Sequence, residues 1–145
     1  MRDLLKGFLD GTIAPADFVL RYRIGSVMTD ETALELRGDG RYEAESTATA
    51  GRRRLTYTGE LPGEEVRALI SALVDARVWE AEHVIRRQPK GDVPAVIAVS
   101  AGEEDAEVTV WASEIADVPQ FDAAQAAVLA VVRRVSDGEV LEPGR

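Results

Sequence analysis

The sequence predicts an α+β fold, in which an antiparallel sheet (a four-strand meander plus two further strands) carries two main helices on one face and a short N-terminal helix. Three observations predict it. From Phe18 to Thr58, apolar and polar residues alternate in four short runs separated by turn residues. From Val66 to Val74 the apolar spacing changes to the i, i+3, i+4, i+7 of a helix. Beyond Pro94 both patterns recur, first as two strand-like runs and then as a helix-like one.

Taken in order, Asp3 to Leu9 places Leu4, Leu5, Phe8 and Leu9 on one helical face, with Gly11 as a stop. Two turns do not stand alone in water, so this helix must dock. Its own core is the simpler target, and a partner chain is the alternative. Phe18, Leu20, Tyr22 and Ile24 then alternate with Val19, Arg21 and Arg23 in a half-buried strand. Leu34 and Leu36 mark a second strand, and Asp39-Gly40 predicts a tight hairpin because its turn needs positive φ. Tyr42 to Ala48 and Arg54 to Thr58 supply the third and fourth strands. Short turns between all four exclude parallel crossovers. Pro62 suits a first helical position, Glu64 and Glu65 complement the helix dipole, and Trp79 closes a helix whose stripe is Val66, Leu69, Ile70, Leu73 and Val74. Ala81 to Pro94 reads as a loop. Val96–Ser100 and Val108–Trp111 are strands joined by an acidic turn. Ala123–Val135 is a helix capped by Asp122, with Ala124, Val128, Val131, Val132 and Val135 as its apolar face and Gly138 as its stop. The expected organisation is one domain over residues 1–138 and a frayed tail from Glu139 to Arg145.

With 145 residues, the chain can bury a core without metal or disulfide. It has no cysteine, which removes thiolate nucleophiles and thiolate metal sites. A formal charge of −9 argues against nucleic acid and anionic membranes as partners. The N-terminus lacks the apolar stretch of a signal peptide, and no run is long enough to span a bilayer, so a cytoplasmic location is expected. Heavy use of Ala, Arg, Gly and Val with no Asn reads as GC-rich bacterial coding.

Few residues suggest chemistry. His83, the single histidine, is a weak candidate general base beside Glu80 and Glu82, but no nucleophile or orienting group is evident around it. A surface histidine after a helix is the plainer reading. Glu103, Glu104, Asp105 and Glu107 lack the ligand spacing of a calcium loop and read as a solvated hairpin tip. Alternation sends Arg52 and Arg54 to one face of their strand. With Arg21 and Arg23 they are the candidate binding residues, for carboxylate or phosphate, although salt bridges to Glu43 and Glu45 are their simpler use. Trp79 and Trp111, at element ends, are candidates to frame an apolar pocket. Arg37-Gly38-Asp39 coincides with a hairpin that needs those residues for geometry. No phosphate loop, nucleophile elbow or paired-histidine motif occurs, and no cofactor or metal is expected.

The run Gly59-Glu60-Leu61-Pro62-Gly63-Glu64-Glu65, followed by a Leu/Val-rich helix and a tryptophan, resembles the layout of small bacterial protease inhibitors of the emfourin type. The likeness spans about Leu55 to Val135, rests on element order, and transfers no functional residue. A non-catalytic binding or interaction domain (inhibitor, immunity or adaptor type), with a protein partner or a homodimer, is the leading expectation. The alternatives are a small-molecule or lipid carrier with a pocket between sheet and helices, and a hydrolase or isomerase using His83. The inner face, Phe18, Leu20, Tyr22, Leu34, Leu36, Tyr42, Leu55 and Tyr57 against the helix stripe, reads as fully used for packing.

Overall fold

The computed structural model describes residues 1–25, 30–48, 53–81 and 92–138. His83, Arg52, most of the loop from Ala81 to Pro94 and the tail from Glu139 lie outside these residues. Helix α1 (Arg2–Asp10) precedes strands β1 (Phe18–Ile24), β2 (Glu31–Arg37), β3 (Arg41–Ala48) and β4 (Arg53–Glu60). Helix α2 (Gly63–Asp75), strands β5 (Pro94–Ala101) and β6 (Glu104–Trp111), and helix α3 (Pro119–Val135) complete the order. All six strands form one antiparallel sheet in the order β4-β3-β2-β1-β5-β6. The meander is therefore intact, and the later hairpin adds beside β1, which becomes an interior strand.

One side-chain parity of the central strands supplies the core. Phe18, Leu20, Tyr22 and Ile24 of β1 stand opposite Leu36, Leu34 and Thr32 of β2 and opposite Val99, Ile97 and Ala95 of β5, and all are buried. Val66, Leu69, Ile70 and Leu73 of α2 and Phe121, Ala124, Val128 and Val132 of α3 close over them in one continuous cluster. Helix α1 docks on this same core: Leu4, Leu5 and Phe8 are buried, and the Phe8 and Phe18 rings stack with centroids 4.6 Å apart. Arg67 of α2 donates to the Leu9 carbonyl at 2.8 Å, satisfying an acceptor that α1 leaves open at its C-terminus. A polar pair is enclosed between sheet and helix: Gln125 Nε2 of α3 donates to the Tyr22 hydroxyl at 3.0 Å. Burial pushes the Tyr22 phenol above its ordinary pKa, and the Gln125 bond offsets only part of that.

Cover is uneven across the sheet. On β3 only Ala44 is buried, and on β4 no residue is. Tyr42, Leu55 and Tyr57 have the inner parity but remain half-buried, so the inner face is not fully used for packing as its alternation suggested. The reason is strand order: the helices gather over β1 and its two neighbours, leaving β4 three strands away from the centre.

Three local features depart from the sequence reading. Helix α2 stops at Asp75, short of Trp79, because Arg77 takes a left-handed φ of 53° and a 3-10 turn (Val78–Ala81) follows, burying Val78 and Ala81. Helix α3 begins at Pro119, with Pro at its first position and Val118 as the cap, so Asp122 lies in the first turn and Phe121 joins the core. Its buried face is Phe121, Ala124, Gln125, Val128 and Val132, while Val131 and Val135 are only half-buried. The β2–β3 connection is a three-residue loop in which only Gly40 has positive φ, at 103°. Gly38 is fixed by proximity: a Cβ there would lie 2.4 Å from the Pro15 carbonyl oxygen and 2.8 Å from the Phe8 ring.

Candidate functional site

The face of the sheet away from the helices carries the exposed arginines. On β1, Arg21 stands between Glu35 of β2 and Ala98 of β5, and Arg23 between Ala33 and Val96. Short side chains on both flanks leave an open depression of about 420 Å³ around the two guanidinium stems. Glu35, Glu43 and Glu45 line it on one side and Glu107 on the other. The lining thus holds two arginines against four glutamates.

Both arginines are engaged within the chain. Arg21 Nε is 3.8 Å from Glu35 and its Nη1 donates to Ser100 Oγ at 3.5 Å, while Arg23 Nε is 3.1 Å from Glu31. More than half of each arginine side chain is exposed, so each pair contributes about 1 kcal/mol at most. Glu35 is directly opposite Glu43 in the β2–β3 register, a like-charge pair that costs a few tenths of a kcal/mol or more. Among the described residues neither Glu43 nor Glu107 enters an ion pair.

Of the candidate residues, then, Arg21 and Arg23 are brought together and Arg54 is not. Arg54 shares their face but lies on β4, three strand spacings or roughly 14 Å away, where it bonds Glu45 at 2.9 Å. Arg52 and His83 lie outside the described residues. The tryptophans are separated as well. Trp79 packs on the helix-side core, whereas Val108 and Val110 take the inner parity of β6 and leave Trp111 with the outer one. They do not frame a common pocket. The acidic hairpin is likewise divided, because alternation sends Glu104 to one face and Asp105 and Glu107 to the other. Among the described residues no group of three or more His, Asp or Glu is placed to hold a metal ion. No described helix is long and apolar enough to cross a membrane. The Arg37-Gly38-Asp39 tripeptide is tied down: Gly38 is buried, and Arg41 donates to Asp39 through Nε at 3.0 Å, Nη2 at 2.7 Å and its backbone N–H at 3.1 Å. Those bonds hold the Asp39 carboxyl below its ordinary pKa.

Two features escaped the sequence reading. The first is the placing of Glu35 and Glu107 around Arg21 and Arg23 alongside the expected Glu43 and Glu45, which depends on which strands lie beside β1 and is not revealed by alternation within a strand. The second is Asp92, which accepts from Val93 N–H at 2.9 Å, from Ser113 N–H at 3.2 Å and from the Ser113 hydroxyl, clamping the entry of β5 to the turn after β6. Burial acts to raise its pKa, but these three donors outweigh it and the pKa is lowered.

No protein-family model matches this chain, and no curated protein matches it. The emfourin likeness draws no support from either comparison.

Proposed function

We propose that this protein is a non-catalytic binding domain that presents the outer face of its sheet to a protein partner bearing basic side chains. The observation that carries the reading is the open depression around Arg21 and Arg23, where glutamates outnumber arginines two to one and Glu43 and Glu107 have no ion-pair partner among the described residues. A lysine or arginine entering there meets these carboxylates and relieves the Glu35–Glu43 repulsion. Such charge matching gives specificity and speed of association more than raw affinity.

The test is affinity capture with the wild-type chain, with Glu43→Lys/Ala98→Trp, and with Glu64→Lys on the helix side as a control. We expect a stoichiometric basic partner that wild type and the control retain, and that the outer-face variant loses by about tenfold or more. Equal capture by all three baits, or no stoichiometric partner at all, refutes the proposal.

A further inference from the structure

The two edges of the sheet are built differently. On β6, Glu104, Asp105 and Glu107 form an exposed run of one sign, which repels a second strand and is a usual protection of an edge. β4 carries charge as well, but of both signs. It pairs with β3 at all eight positions without a bulge, contains no proline, and carries Arg53 and Arg54 against Glu60. It is a stretch where the chain's acidic surplus does not oppose association. Leu55 and Tyr57 on its helix-side face are only half-buried, Tyr57 resting against the margin of the core.

We infer that β4 pairs with β4 of a second copy of this chain, antiparallel, about a two-fold axis normal to the sheet. Residues directly opposite in such a pair share a face, so the axis must pass through one residue position. Charge chooses which. Centred on Tyr57, the pairing sets Arg54 opposite the second copy's Glu60 on the outer face, and by symmetry it does so twice. It also sets Tyr57 against its own counterpart and Leu55 against Gly59. The Tyr42 ring already covers Gly59 (a Cβ there would lie 2.6 Å from the Tyr42 hydroxyl), so each Leu55 meets an aromatic surface. Centred one residue earlier, at Thr56, Arg54 faces Thr58 and no pair of opposite charges remains within β4. The occupant is a second copy because the charges of β4 complement themselves under this symmetry.

Sedimentation of the full chain over roughly 1–200 µM tests the dimer. The wild type should self-associate. Arg54→Glu and Glu60→Arg should each weaken the dimer about tenfold or more, since symmetry turns two attractive pairs into two repulsive ones. The double variant, with the charges exchanged, should recover to within about threefold of wild type. A monomer throughout, unchanged dimerisation in the single variants, or no recovery in the double variant overturns the inference. Should a charge variant fail to fold, the absence of native cysteine allows a second measurement. Tyr57→Cys should cross-link through one disulfide at the axis on oxidation, and Glu104→Cys on β6 should not. Equal cross-linking at both positions, or none at Tyr57→Cys, overturns it as well.

Discussion

Replacing Tyr22 by phenylalanine isolates an enclosed side-chain hydrogen bond between the sheet and the helix layer. Tyr22 is 1% exposed and Gln125 8%, and the 3.0 Å bond between them joins β1 to α3 across the core. The substitution keeps the ring and its packing. It strands the Gln125 amide, a largely buried donor, at a cost of about 1–3 kcal/mol. pH then separates this mechanism from simple repacking. The folded-state pKa of Tyr22 is raised, so its contribution is fully present below the unfolded tyrosine pKa of about 10. Above that pH the unfolded chain ionises first, and the wild type loses about 1.4 kcal/mol per pH unit until the folded-state pKa is reached. The phenylalanine variant has no proton to lose at this position, and groups common to both proteins cancel in the difference. Urea unfolding followed by far-UV circular dichroism at pH 8 and pH 11 should show Tyr22→Phe less stable at pH 8, with the gap narrowed by about 1 kcal/mol at pH 11. Adding Gln125→Leu should recover part of the loss at pH 8, because both polar partners are then gone. Equal stability at pH 8, or a gap that does not change with pH, would refute the argument.

Two further outcomes follow from local geometry. Asp92→Asn weakens the clamp on Ser113 and should cost about 0.5–1 kcal/mol at pH 7, the lower part of the hydrogen-bond range because the site is partly solvated. Since the Asp92 pKa is lowered, the wild-type advantage is present above the unfolded carboxyl pKa near 3.9 and should disappear as pH falls through the lower folded-state value, which urea midpoints at pH 7 and below pH 3 will check. Arg77→Gly removes a side chain from a left-handed φ of 53° and should raise the thermal midpoint by about 2–4 °C, equivalent to roughly 0.5–1 kcal/mol, as read by calorimetry.

What the sequence made legible was whatever a short window encodes. Alternation in Phe18–Ile24 and the i, i+3, i+4 stripe of Val66–Leu73 each repeat within one element, and each element formed with the face it announced. Helix ends were less legible. Arg77 carries no glycine signal, yet it reverses the chain after α2. Pro119 does carry a first-position signal, but Asp122 is the stronger capping residue type and draws the expected start past Phe121. Least legible was everything set by non-local pairing. Whether the late hairpin adds beside β1 or beside β4 leaves the alternation of every strand unchanged, yet it decides which strands lie under the helices. Placed beside β1, it leaves Leu55 and Tyr57 half-covered and β4 at an edge. The candidate site followed the same division. Two residues apart on one strand, Arg21 and Arg23 were bound to lie together. Their distance from Arg54 and their glutamate neighbours depended on strand order and register.

The outer face and the β4 edge are linked by geometry. A sheet face serving solubility alone gains most from opposite charges on facing strands, as Arg54 and Glu45 show at 2.9 Å. Glu35 opposite Glu43 departs from that pattern where the sheet is also hollowed by Ala33 and Ala98, so the electrostatic cost falls at the place with room for an incoming side chain. Pairing β4 to β4 about an axis normal to the sheet would set two such hollows on the same face of one continuous twisted sheet. The two β1 strands would be seven strand spacings apart, roughly 33 Å. A partner with two basic segments at that separation would gain from effective concentration as well as from charge, whereas a partner with one segment would bind the monomer equally well. The ratio of a bivalent basic ligand's affinity to a monovalent one's, measured in the wild type and in Arg54→Glu, therefore reports on both surfaces at once. It should fall to near one when the dimer is broken, whereas neither ligand should bind at all if the outer face is not a binding surface.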